Sequence, residues 1–146
     1  MESPEAVTLI VDGANVMGSR PDGWWRDRAG AITRLHARLA ALAARGVGGA
    51  PPDGDAEPEA GPGHWTPRVV LVVEGRAKSA LSGLPDAPGV EVVGAPGEGD
   101  DEIAALAATV PGPRFVVTAD RELIGRCRAA GAGVLGPRWL LARLAD

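Results

Sequence analysis

The stretch Arg68-Val69-Val70-Leu71-Val72-Val73-Glu74-Gly75 is apolar at five consecutive positions and stops on an acid–glycine pair. A strand with one face in water alternates apolar and polar residues. A continuous β-branched run instead fits a strand buried on both faces, as in a parallel sheet covered by helices. The same form recurs on either side of it. Thr8–Val11 runs into Asp12-Gly13, Val90–Val93 into Gly94, and Arg114–Thr118 into Ala119-Asp120, with Gly133–Leu135 as a shorter last strand. Helical patterns lie between. Ala31–Arg45 carries Ile32, Leu35, Leu39 and Leu42 on one stripe, with Arg34, Arg38 and Arg45 off it. Asp100–Thr109 is Ala-rich, Arg121–Ala130 follows the next strand, and Pro137 opens a C-terminal helix with Leu140, Leu141 and Leu144. Strands alternating with helices predict an α/β fold, a three-layer α/β/α sandwich around a mainly parallel sheet.

The 146 residues predict a single domain, 1–146. Gly46–Thr66 holds six Gly and four Pro and has little to bury. It reads as a flexible insertion in that domain, because a strand follows at once. The formal charge is −4. The insertion contributes Asp53, Asp55, Glu57 and Glu59 without a base, and the remainder is balanced, so net charge neither favours nor excludes a nucleic acid. One cysteine, Cys127, excludes an internal disulfide and a cysteine-built zinc site; its place in a predicted helix suits a small buried side chain. The longest apolar runs fall short of the roughly 18 residues that cross a bilayer. The acidic start Met1-Glu2-Ser3-Pro4-Glu5 lacks the basic segment of a secretory signal, so a cytoplasmic protein away from membranes is expected.

Open α/β sheets bind ligands beyond the carboxyl ends of their strands. Acids stand there repeatedly: Asp12, Glu74, Asp100-Asp101 after the Gly94–Gly99 loop, and Asp120. Each has a plain structural reading. Asp12-Gly13 is a common turn pair, Asp100 and Asp101 suit an N-cap and a first helical turn, and Asp120 suits a cap. Taken together, carboxylates gathered at one edge raise one another's pKa unless a cation neutralises them. Oxygen-only sites of that kind suit Mg²⁺ or Mn²⁺, and can activate water for an in-line phosphoryl displacement.

Leu9-Ile10-Val11-Asp12-Gly13-Ala14-Asn15-Val16 resembles the opening strand of PIN-like nucleases, most closely their NYN branch with its bacterial YacP-like members. Gly99-Asp100-Asp101-Glu102-Ile103 resembles that family's second acidic motif, and Val116-Val117-Thr118-Ala119-Asp120-Arg121 its third, with Thr two positions before the Asp. The resemblance implies a PIN-like domain acting as a Mg²⁺- or Mn²⁺-dependent endoribonuclease, with Asp12, Asp100 and Asp120 as metal-binding acids. Asp101 is a fourth candidate, for a second ion or for positioning water. Asp100 ranks first of the pair, because Ile103 three positions on reproduces the family's acid-to-apolar spacing. Asn15 would orient Asp12 or bond a phosphate, or else make an Asx-turn. Thr118 would bond a metal-bound water or a neighbouring carboxylate, or else be a plain strand residue. Glu74 matches no core motif and is either a supporting acid or solvated.

The segment Gly18–Arg28 interleaves Arg20, Arg26 and Arg28 with Trp24 and Trp25. Arg pairs with phosphate and an exposed Trp stacks on an unpaired base, so single-stranded RNA is the expected partner, with Arg121 as a further phosphate contact. One Trp is expected in the core and the other on RNA. His36 is expected to flank the apolar stripe, and His64 to lie in the flexible insertion. Two rivals stand beside the nuclease: a catalytically weak or inactive RNA-binding protein of the same fold, and a small-molecule phosphatase. Against the phosphatase, Val11-Asp12-Gly13-Ala14-Asn15 lacks a second Asp two positions after the first. The sequence leaves room for a homodimer. It also predicts that Asp12→Asn or Asp120→Asn removes metal-dependent cleavage and leaves the melting temperature nearly unchanged.

Overall fold

A computed structural model of the chain describes residues 7–19, 23–49, 51–52 and 63–144. Among them are seven strands: β1 (Thr8–Asp12), β2 (Val47–Gly48), β3 (His64–Trp65), β4 (Arg68–Val73), β5 (Val90–Gly94), β6 (Arg114–Val117) and β7 (Gly133–Leu135). Five helices accompany them: α1 (Gly13–Gly18), α2 (Arg28–Arg45), α3 (Gly99–Thr109), α4 (Arg121–Ala129) and α5 (Pro137–Leu144), with 3₁₀ segments at Trp24–Arg26 and Gly75–Gly83. Five strands form one parallel sheet in the order β5-β4-β1-β6-β7. The strand order reverses at β1, so the crevice between the carboxyl ends of β1 and β6 is the topological switch point, where such sheets bind ligands.

Strand parity assigns each side chain to a layer. Leu9 and Val11, Val69, Leu71 and Val73, and Phe115 and Val117 pack against α1, α2 and α5. Ile10, Val70 with Val72, and Val116 pack against α3 and α4 through Ile103, Ala107, Leu123 and Cys127. Both faces are buried, which is why these strands read as unbroken apolar runs. The same parity carries Asp12, Glu74 and Thr118, each two residues beyond Ile10, Val72 and Val116, onto the α3/α4 side of the sheet's carboxyl edge.

Three regions depart from the sequence expectation. Gly13–Gly18 is a short helix in place of a simple turn. Helix α2 begins at Arg28 rather than Ala31, because the Asp27 carboxylate accepts the Gly30 N–H at 2.9 Å and caps it. The ends of the 46–66 segment are built into the fold: Val47 and Trp65 are buried and pair across the antiparallel β2–β3 ladder, and His64 meets the Arg45 carbonyl. The rest of that insertion, residues 53–62 together with residue 50, lies outside the described residues. Cys127 is fully buried, as its helical position suggested.

Gly125 lies exposed in α4, and a Cβ built there meets no atom within 4 Å. Helix propensity is then the main difference between Gly and Ala. Gly125→Ala is expected to stabilise the protein by up to about 1 kcal/mol, raising the melting temperature by about 2–4 °C. A thermal melt measures this directly.

Candidate functional site

Asp12 ends β1 and caps α1. Its Oδ1 accepts the Asn15 N–H at 3.2 Å, which gives the Asp-x-x-Asn spacing a local meaning: an N-cap and the third residue of the helix it starts. Its Oδ2 accepts from the Thr118 hydroxyl at 3.0 Å. The same Thr118 oxygen accepts the Asp120 N–H at 3.2 Å, and the Asn15 Oδ1 accepts the Ala119 N–H at 2.9 Å. Asn15 and Thr118 therefore stitch the ends of β1 and β6 together. Asp120 turns its Oδ1 to the Leu123 N–H at 3.1 Å and caps α4.

The acids at the start of α3 divide in two. Neither Asp100 nor Asp101 is the N-cap. That position is Glu98, whose side chain makes no cap bond; the Glu74 carboxylate reaches over from the end of β4 to accept the Gly99 N–H. Glu74 is thus neither idle nor simply solvated. It fixes α3 to the sheet edge. Asp100 is half-buried, and its side chain makes no hydrogen bond among the described residues. Asp101 is 74% exposed and pairs at 3.1 Å with Arg126 of α4.

The electrostatics follow from this packing. Asp12 is only 6% exposed, and its pKa is pushed from 3.8 up to about 6. Burial is the main cause, with smaller upward contributions from the charges of Asp100 and Glu74; the bonds from Asn15 and Thr118 pull the other way. Asp100 is also raised, by burial and then by Asp120, Glu74 and Glu98, while Arg126 opposes them. Asp12, Asp100, Asp120 and Glu74 therefore sit in one mutually repelling field. Its donors are all oxygens, which is the chemistry a hard divalent cation requires. Among the described residues, however, no three His, Cys, Asp or Glu side chains stand close enough together to hold an ion as they are placed.

Arg126 and Glu98 act on this field and were not singled out by sequence. Arg126 had no local signal, because it meets the acids only through the packing of α4 on α3. Glu98 adjoins the second motif and was legible as a further acid. Lys78, the only lysine, donates to the Ala95 carbonyl at 2.9 Å.

The other expected residues are dispersed. Trp25 is 54% exposed, and the Arg26 guanidinium lies over its ring at 5.8 Å. Arg28 and Arg121 are exposed. Arg20 and the Trp24 side chain, and with it the expected division of roles between the two Trp, lie outside the described residues. His36 does not flank the stripe: it is 2% exposed and lines a cavity of about 470 Å³ with Leu81, Leu84, Asp86 and Val92, beside the edge strand β5. This cavity is separate from the acids.

Thr118→Val removes two bonds at once. Asp12 loses a donor that favours its charged form, so its pKa is expected to climb further above 6, and the Asp120 N–H is left without its acceptor. We expect a loss of about 1–3 kcal/mol and an upward move of the Asp12 titration, read by carboxyl-carbon NMR.

No protein-family model matches the sequence, and no curated protein matches it. Among solved structures, the chain is similar to Rae1 (YacP) from Bacillus subtilis. The superposition has a TM-score of 0.65 at 20% identity and covers 94% of this chain and 72% of that one. A mutant of the same protein gives a TM-score of 0.66 at 19% identity, covering 96% of this chain and 75% of that one. The chain therefore has a YacP-like fold.

Proposed function

We propose that the chain is a Mg²⁺- or Mn²⁺-dependent endoribonuclease acting on single-stranded RNA in the cytoplasm. The observation that carries this reading is Asp12: a buried carboxylate at the switch point, destabilised by burial and by Asp100 and Glu74, with no basic side chain bonded to it. A fold retains such a group at a cost unless a cation offsets it. Asp12, Asp100 and Asp120 would hold the ion, each keeping lone pairs beyond the hydrogen bonds described. When bound, a divalent cation neutralises these carboxylates, polarises the scissile phosphate and lowers the pKa of water.

The chain's own residues supply the positioning. Thr118 and Asn15 fix Asp12 and the Ala119–Asp120 turn in one arrangement, and Glu74 anchors the helix that carries Asp100. Trp25 offers a face on which an unpaired base stacks, worth about 1–3 kcal/mol, which favours single-stranded substrate. Arg26, Arg28 and Arg121 offer phosphate contacts.

A second reading rests on the same geometry. Asp12, Glu74 and Asp120 each accept a helix N–H, which is a structural use, and no three acids converge among the described residues. A protein of this fold that binds RNA without turnover fits that. End-labelled single-stranded RNA incubated with Mn²⁺, with Mg²⁺ and with EDTA separates the two. The nuclease reading expects internal cuts with either cation and none with EDTA. RNA retention without products supports the second reading, and phosphate release from small esters alone rejects both.

A further inference from the structure

Arg126 is the one basic residue whose charge acts on Asp100 against three neighbouring acids. Its Nη1 donates to the Asp101 Oδ1 at 3.1 Å, and the guanidinium makes no other hydrogen bond among the described residues. A guanidinium has five N–H donors, so most of this one is uncommitted. At 42% exposure for Arg126 and 74% for Asp101, the pair stands in water. Exposed pairs of this kind contribute about 0–1 kcal/mol, so a better anion displaces the carboxylate easily.

The placement is also rigid. Arg126 immediately precedes the fully buried Cys127 on α4, and that helix is capped by Asp120 itself. Arg121, five residues earlier, points about 140° away around the helix. A phosphodiester approaching Asp12, Glu74, Asp100 and Asp120 meets a repelling edge. A guanidinium on its rim, with a free fork of donors, is what would draw that phosphate in.

We propose that Arg126 binds the RNA phosphate next to the acid cluster, and that Asp101 is the carboxylate this phosphate displaces rather than a metal ligand. This rests on the RNA-cleaving reading above. The helix turn separates the two adjacent acids: Asp100 keeps to the cluster, while Asp101 reaches across to α4.

The test is binding of a fluorescent single-stranded oligoribonucleotide in EDTA, followed by anisotropy across a salt series. Arg126→Ala is expected to weaken binding about tenfold and to reduce the slope of log affinity against log salt by about 0.7. Arg126→Lys should restore the slope but not the full affinity, because a lysine cannot make the forked contact. Asp101→Asn should tighten binding about threefold in the wild type and leave it unchanged in Arg126→Ala, since the effect runs through the arginine. Manganese affinity, measured by calorimetry, should be unaltered by Asp101→Asn. Wild-type affinity and slope in Arg126→Ala overturn the proposal, as does equal tightening in both backgrounds or a tenfold loss of manganese affinity in Asp101→Asn. Failure of the wild type itself to bind RNA would overturn the RNA reading as well, so the two failures are distinguishable.

Discussion

Asp12→Asn is expected to lower cation-dependent RNA cleavage by at least about 1,000-fold, about 4 kcal/mol in barrier, while making the protein more stable in EDTA at pH 7–8. The two effects have one cause. The Asp12 carboxyl titrates at about 6 in the fold against 3.8 in its absence, so the folded state holds the proton more tightly than the unfolded chain. Its contribution to stability is therefore fully present below about pH 4 and is lost as the pH rises through 6. At about 1.4 kcal/mol per pH unit, the loss is on the order of 3 kcal/mol by pH 7. Asparagine cannot ionise and keeps an oxygen for the Asn15 N–H, so the variant avoids that loss. Its advantage over the wild type should grow between pH 4 and pH 7 and then level off. This replaces the sequence expectation of an unchanged melting temperature, because burial of Asp12 was not visible from its position in a turn-like pair. Adding Mn²⁺ should reverse the order, stabilising the wild type and leaving the variant unmoved. Thermal melts across pH, with and without the ion, measure both halves. A variant that cleaves normally would remove Asp12 from the chemistry.

Gly13→Ala is expected to be severely destabilising although it adds one methyl group. A Cβ at this position would sit 2.7 Å from the Val72 carbonyl oxygen and 3.2 Å from Ile32 Cδ1. The nearer obstacle is backbone in the neighbouring strand β4, which cannot rotate away. Either α1 moves off the sheet or β4 shifts, at a cost of about 3 kcal/mol and a fall of about 6–12 °C in melting temperature. The displacement would also carry Asn15 away from the Ala119 N–H, so cleavage should fall with stability. Gly97→Ala is the control: nothing lies within 4 Å of a Cβ there, and the melt should barely change. An unchanged melting temperature for Gly13→Ala would mean that α1 is not held against β4 as described.

Strands β1, β4 and β6 were legible in the sequence because burial on both faces leaves an unbroken apolar run, as in Val69–Val73. Helix α2 was legible because eighteen residues give the 3.6-residue stripe room to repeat. Helix α1 was not, since six residues beginning at an Asp-Gly pair read equally well as a turn. The β2–β3 ladder escaped for the same reason: two residues per strand carry no periodicity, and Trp65 stands in a segment whose Gly and Pro content points to a loop.

That Asp12, Glu74, Asp100 and Asp120 stand at or after the carboxyl ends of strands was readable. Their division of labour was not. That Glu74 rather than Asp100 or Asp101 serves the start of α3, and that Asp101 turns to Arg126, depends on how α3 and α4 pack on the sheet and on each other. Those contacts join residues 25 positions apart, and no local spacing encodes them.

The most direct test is a crystal soaked in Mn²⁺ at pH 7.5, above the Asp12 titration, with data collected to locate manganese by its anomalous signal. The account predicts a peak at the carboxyl ends of β1 and β6, bonded to oxygens of Asp12, Asp100 and Asp120, with Asp101 still on Arg126. Manganese bound elsewhere, or a cleft left empty at concentrations that support RNA cleavage, would contradict it.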